Sequence, residues 1–187
     1  VVKSITCDCA RPTVTVKCNE NTGKPVLSWK AVDGASKYYI YRSTDGGKTY
    51  KYWDSTSKTS YTNSGAEAGK TYYYMVKAVC GKSSYGNSAQ SLAKSIVCDC
   101  AKPVLSITAV NGKPKLSWNA VDGATKYWVY RSTDGKNFKY YDTTTKLSYT
   151  NMSTTAGTTY YYKLKAVNGS TNYDASALSN AVSLKVK

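Results

Sequence analysis

Histidine is absent from these 187 residues, and phenylalanine occurs once. The first absence removes the commonest general base and the commonest transition-metal ligand. Ser and Thr are plentiful but lack the usual partner that turns a hydroxyl into a nucleophile. Acid is scarce as well: 11 Asp and Glu stand against 26 Lys and Arg, for a net charge of +15. The carboxylates lie mostly in turns or beside Lys, and none pairs with another at a recurring spacing. No catalytic residue, cofactor or metal is therefore expected. The excess is +8 over residues 1–97 and +7 over residues 98–187, nearly all of it from Lys. Spread so evenly and without Arg clusters, it reads as a solvated basic surface rather than a nucleic-acid site. Such a surface still favours anionic polymers, acidic glycans among them. No apolar run approaches the ~18 residues that a membrane-spanning helix needs, and no signal peptide opens the chain. The abrupt start at Val1 and the end in an apolar alternation (Val182, Leu184, Val186) suggest a segment of a longer exported protein.

What the chain has in abundance is tyrosine, 19 residues of it, arranged in a sequence that repeats. Trp29 to Asp54 reads WKAVDGASKYYIYRSTDGGKTYKYWD, and Trp118 to Asp142 reads WNAVDGATKYWVYRSTDGKNFKYYD. AGKTYYYMVKAV then returns as AGTTYYYKLKAV, and CDCARP as CDCAKP. A period of about 90 residues means two copies of a domain-sized module, here bounded at 1–97 and 98–187. The short Cys-Asp-Cys-Ala junction, with no long Pro- or Ser-rich linker, leads to the expectation of a stiff pair.

Within each copy the apolar residues alternate with period two. Thr13 to Lys17 and Val104 to Thr108 follow a Pro and read as first strands. Leu27 and Trp29, or Leu116 and Trp118, share a face of the second. Asp33-Gly34 and Asp122-Gly123 are turns. Beyond them Tyr38 and Ile40 oppose Tyr39 and Tyr41, as Tyr127 and Val129 oppose Trp128 and Tyr130. Asp45-Gly46 and Asp134-Gly135 read as hairpin turns, with strands returning over Tyr50 to Trp53 and Phe138 to Tyr141. Tyr72 to Val79 is the strongest strand, and the last run over Leu92 to Val97 and Ala181 to Lys187. Short strands, frequent turns and no helical period predict an all-β chain of two tandem seven-stranded antiparallel β-sandwiches.

The Trp of the second strand, the Tyr-x-Val/Ile-Tyr-Arg of the third and the Ala-Gly-x-Thr-Tyr-x-Tyr of the sixth resemble the fibronectin type III family. The likeness is nearest to tandem modules of Gram-positive surface proteins and secreted hydrolases, and covers nearly the whole chain twice. It implies core roles for Trp29 and Trp118, and a tyrosine corner at Tyr72 and Tyr160. It also implies an extracellular or cell-surface location and a non-catalytic role in spacing and adhesion. The expected partners are neighbouring domains of the same chain and an extracellular protein or glycan, anionic or neutral. A monomer is expected, without nucleic acid or membrane insertion. Ala68 and Ala156 replace the family's usual Pro before the corner Gly, and no Arg-Gly-Asp tripeptide is present.

Three groups of residues are candidates for more than structure. If Tyr38 and Ile40 face the core, then Tyr39, Tyr41 and Tyr73 face solvent, and Trp128, Tyr130 and Tyr161 do so in the second copy. Such rings can stack sugars, giving a carbohydrate-binding alternative, or can simply stabilise an exposed sheet by cross-strand pairing. Asp45 and Asp134 have no second carboxylate nearby, so they read as turn formers rather than calcium ligands. The Cys-Asp-Cys pairs lie a module apart and read as disulfide partners in an exported protein rather than a zinc site. In a sandwich the strands alternate direction. This places Cys80 near Cys9 (or Cys7) and Cys18 near Cys98 (or Cys100), with Cys7 and Cys100 left over; a Cys18–Cys80 bond would have to cross the module. Asn151-Met-Ser and Asn168-Gly-Ser match the N-glycosylation pattern.

Overall fold

Tyr38 and Ile40 are buried, while Tyr39 and Tyr41 beside them are only half-buried. That two-residue period marks a strand with one face on a core, and it recurs throughout the chain. The computed structural model describes residues 7–81, 85–169 and 175–187, with side chains described over 9–81, 86–169 and 175–187. It falls into two compact units, the main body of the second beginning at Asp99.

The first unit contains β1 (Cys7–Asp8), β2 (Val14–Cys18), β3 (Pro25–Trp29), β4 (Ala35–Ser43), β5 (Lys51–Thr56), β6 (Ser60–Thr62), β7 (Thr71–Cys80), β8 (Tyr85–Gly86) and β9 (Lys94–Val97). Seven of these build the sandwich: a three-stranded sheet in the order β2-β3-β6 and a four-stranded sheet in the order β5-β4-β7-β9. All its pairings are antiparallel. The inward residues Leu27, Trp29, Tyr38, Ile40, Tyr74, Val76 and Ala78 form one core. Fully burying side chains such as Leu27, Ile40 or Val76 stabilises by roughly 1.5–3 kcal/mol each. Trp29 meets Tyr38 edge to face with centroids 5.1 Å apart.

The second unit contains β10 (Leu105–Val110), β11 (Lys113–Trp118), β12 (Lys126–Ser132), β13 (Lys139–Thr144), β14 (Ser148–Thr150), β15 (Thr159–Val167) and β16 (Val182–Lys185). Its sheets run β10-β11-β14 and β13-β12-β15-β16, the same order. Leu116, Trp118, Tyr127, Val129, Tyr162 and Leu164 fill the core, and Trp118 meets Tyr127 edge to face at 5.2 Å. Asn111 and Gly112 join β10 to β11 with positive φ at both positions, 47° and 72°. The right-handed strand twist favours such a turn, and Asn-Gly meets it at least cost.

Several features depart from the alternation. The fifth sandwich strand is only three residues long in each copy, Ser60–Thr62 and Ser148–Thr150. The β4–β5 connection runs over residues 44–50 and the β12–β13 connection over 133–138, so neither is a tight two-residue hairpin. A bulge between Ile40 and Tyr41, repeated between Val129 and Tyr130, shifts the register of the edge strand. Finally, two buried serines stand in for a stretch of ladder. Ser88 Oγ accepts the Ala78 N–H at 2.8 Å and Ser91 Oγ accepts the Val76 N–H at 3.0 Å. Ser176 and Ser179 do the same for Ala166 and Leu164 at 3.0 and 2.9 Å. Buried strand N–H groups beyond the reach of the last strand are thereby satisfied.

Candidate functional site

The outward face of the four-stranded sheet carries most of the aromatic residues not used by the core. In the first unit Tyr39 and Tyr41 project from β4, one residue out of phase with Tyr38 and Ile40. Tyr52 stands opposite Tyr41 on β5. It meets both rings edge to face, at 5.5 Å from Tyr39 and 6.2 Å from Tyr41. The second unit repeats the set. Tyr140 lies 6.3 Å from Trp128 and 6.1 Å from Tyr130, again edge to face. Tyr52 and Tyr140 are the most open members, each 56% exposed. Sequence reading places neither among the candidates. The signal was present in the alternation of the return strand, but the bulge obscures which residue of Lys51–Asp54 faces outward.

Tyr73 and Tyr161 occupy a different part of that face. A side chain at Gly47 would press on the Tyr73 ring and one at Gly135 on the Tyr161 ring, and both glycines have positive φ. These two tyrosines therefore lie half-buried under the hairpin connections. The six rings named from the alternation are each half-buried. Four of them join the Tyr52 and Tyr140 clusters, and two support loops. Burial pushes the neighbouring Tyr50 hydroxyl up in pKa, as it does that of Tyr130.

Lysines are set among the rings. Lys77 is the cross-strand neighbour of Tyr39, Lys165 that of Trp128 and Lys163 that of Tyr130. Lys37 Nζ lies 5.1 Å from the Tyr39 centroid, Lys126 Nζ 5.9 Å from Trp128, and Lys163 Nζ 4.5 Å from Phe138. The two strand arginines are placed elsewhere. Arg42 stacks 3.2 Å over Trp53 and faces Tyr72 at 5.3 Å. Arg131 likewise lies 3.8 Å over Tyr141 and 5.3 Å from Tyr160, and donates to the Ser153 carbonyl. Tyr160 Oη accepts the Thr155 N–H at 3.1 Å, which ties the strand to the loop before it and lowers the phenol's pKa. These cations hold the sandwich edge.

Asp45 and Asp134 organise their own loops. Asp45 accepts from Ser43 Oγ at 2.6 Å and from the Lys48 and Thr49 N–H groups at 3.0 Å. Asp134 accepts from Ser132 Oγ at 2.6 Å and from the Lys136 and Asn137 N–H groups at 2.9 and 2.8 Å. The serine hydroxyls and loop amides hold both carboxyls well below the usual carboxylate range. Asp142 takes the Tyr149 hydroxyl at 2.8 Å; burial, then this contact, pushes that phenol up. Asn151 is fully buried, with its amide on Tyr162 Oη, so the first glycosylation triplet is closed to modification. Ser170 of the second triplet lies outside the described residues.

Cys9 and Cys80 form a disulfide, with Cα atoms 6.5 Å apart. The parallel pairing of β1 with β8 and the Cys9 N–H to Gly86 carbonyl bond of 3.0 Å hold that end of the chain in place. Cys18 Sγ lies 3.2 Å from the Val97 carbonyl oxygen, and Cys98 and Cys100 are buried. The Cys7 side chain lies outside the described residues. Among the described residues no group of three or more His, Cys, Asp or Glu could hold a metal ion, and no helix is long and apolar enough to cross a membrane.

No family model matches the sequence. A two-domain fibronectin type III segment of chicken tenascin matches the structure with a TM-score of 0.57 at 18% identity, covering 96% of this chain and all of that one. The fold is therefore that of fibronectin type III domains in tandem. Two bacterial enzymes share sequence with it. An amylopullulanase of Thermoanaerobacter thermohydrosulfuricus is 41% identical over 70 residues, and a poly(3-hydroxybutyrate) depolymerase of Ralstonia pickettii is 41% identical over 85. These stretches make up 37% and 46% of this chain but only 5% and 16% of the enzymes.

Proposed function

We propose that the two modules, taken as residues 1–97 and 98–187, are a non-catalytic part of a larger secreted or surface-displayed bacterial protein, Gram-positive by its motifs. In this reading they space its other domains and mediate adhesion to extracellular material. The observation that carries the reading is where the reactive groups are used. Asp45 and Asp134 are occupied by their own loops and Asp142 by Tyr149, while Arg42 and Arg131 are stacked on edge aromatics. On the outward faces of the four-stranded sheets, rings and lysines stand without a carboxylate among the described residues, and these suit contact rather than chemistry. The disulfide fits an oxidising, extracellular setting. The two related enzymes both act, by their names, on polymers, and the shared stretch is a small part of each.

Deleting residues 1–187 from the parent protein tests the reading. Turnover of a soluble substrate is expected to be unchanged, while retention on insoluble substrate or on the cell surface falls. Loss of soluble turnover in a deletion variant that still folds would place the chemistry here and overturn the reading.

A further inference from the structure

The eight strands of the two four-stranded sheets carry eleven Lys and Arg but only two carboxylates, Asp54 and Asp142. Arg42, Lys51, Lys94, Arg131 and Lys139 pair on the inner side, which leaves Lys37, Lys77, Lys126, Lys163, Lys165 and Lys185 outward. Asp54 stands opposite the buried Ile40 and Asp142 opposite the buried Val129, so both belong to the inner side of the edge strand. No Asp or Glu thus occupies an outward position on either sheet among the described residues, while lysines sit beside the outward rings. A face made of aromatic rings alone would suit a neutral sugar, and one made of lysines alone would suit any polyanion. Here the two are interleaved at the distance of cross-strand neighbours, about 5 Å.

We infer that this face of each module binds an acidic polysaccharide, one whose sugar rings carry carboxylates. The open Tyr52 and Tyr140 offer the edge-strand rings against which apolar sugar faces pack. Lys77 in the first module, and Lys163 and Lys165 in the second, meet the carboxylates. The compartment favours a glycan over a nucleic acid, because the Cys9–Cys80 disulfide fits an exported protein. The inference rests on the reading of the modules as non-catalytic extracellular contacts and adds the class of ligand.

Affinity electrophoresis of the two-module protein through polygalacturonate tests it, with amylose as the neutral arm and single-stranded DNA as the alternative polyanion. Retardation is expected in polygalacturonate, weakly or not at all in amylose, and less in DNA at equal charge concentration. Tyr140→Ser with Tyr52→Ser, which removes exposed edge rings and no charge, should weaken binding about tenfold. Lys163→Gln with Lys165→Gln should weaken it similarly and flatten its salt dependence. Lys115→Gln with Lys17→Gln, an equal charge loss on the three-stranded sheets, should change it less than about twofold. Equal loss in the control pair would mean diffuse charge attraction and overturn the inference. So would indifference to the Tyr pair, equal binding to DNA, or equal binding to amylose. Circular dichroism confirms that each variant is folded. Failure of this experiment leaves the deletion experiment above to stand or fall separately.

Discussion

Asn63 Nδ2 donates to Tyr74 Oη across 2.8 Å inside the first core, and Asn151 repeats the bond to Tyr162 at 2.7 Å in the second. Asn63 also donates its backbone N–H to the Pro25 carbonyl at 3.0 Å, and Asn151 to that of Pro114 at 2.9 Å. One residue thus fixes the end of the short fifth strand to both the sixth strand and the second. Asn63→Ala leaves a buried phenol without its donor, so a loss of about 1–3 kcal/mol is expected. For a module of this size that lowers the melting temperature by several degrees per kcal/mol. Calorimetry showing unchanged melting would refute the role.

Ser91→Ala and Ser179→Ala strip the partner from the Val76 and Leu164 amides. Each is expected to cost about 1–3 kcal/mol, because a buried N–H is left unpaired. Hydrogen exchange at those two amides should accelerate selectively. Uniform exchange across β7 or β15 would argue against the device.

These pairs also mark what the sequence conceals. The long strands and the two Trp positions follow from period-two alternation, and the Asn111-Gly112 turn from its chemistry. Ser60–Thr62 is too short to show a period. Ser-Ala-Gln-Ser (88–91) and Ser-Ala-Leu-Ser (176–179) look like polar loop, yet they act as ladder because their hydroxyls replace backbone carbonyls. The outward rings were readable from Tyr39 and Trp128. Tyr52 and Tyr140 were not, since the bulge breaks the parity that would assign them. That Tyr73 and Tyr161 lie under loops depends on Gly47 and Gly135, far enough along the chain that only the fold brings them together.

Trp29→Ala and Trp118→Ala are expected to cost their modules ~3–5 kcal/mol each, through lost burial and the cavity left behind. Both rings are more than nine-tenths buried. Each substitution should shift one of two thermal transitions and leave the other in place. A melting profile unmoved by either would contradict the core assignment.

Asp45 and Asp134 make stability depend on acid. Their folded pKa values are depressed below the unfolded value of about 3.9. Their contribution is therefore fully present above that pH and is lost as pH falls through the folded values. Between pH 6 and 5 stability should be flat on their account, with a decline below about pH 4 that is shallower in Asp45→Asn and Asp134→Asn. Variants with the parent's full acid slope would show that the loops do not depend on the charge.

The disulfide closes a separation of 71 residues, worth about 4 kcal/mol in the chain-entropy model. Reduction should destabilise the first module far more than the second, where Ala109 and Asn168 stand at the positions of Cys18 and Cys80. A second bond, Cys18–Cys98, is proposed from the contact of Cys18 Sγ with the Val97 carbonyl. Non-reducing peptide mapping is expected to return Cys9–Cys80 and Cys18–Cys98 peptides; a Cys18–Cys80 peptide would contradict both.

The claim of a non-catalytic contact role is tested most directly by incubating the purified two-module protein with insoluble polymers, including an α-glucan, a polyhydroxyalkanoate and an acidic polysaccharide gel. Supernatant protein and soluble products are measured together. The account predicts depletion of protein onto the acidic gel and no protein-dependent release of reducing ends or hydroxy acids from any polymer. Release that scales with protein and is lost in Asp45→Asn or Asp134→Asn would contradict it.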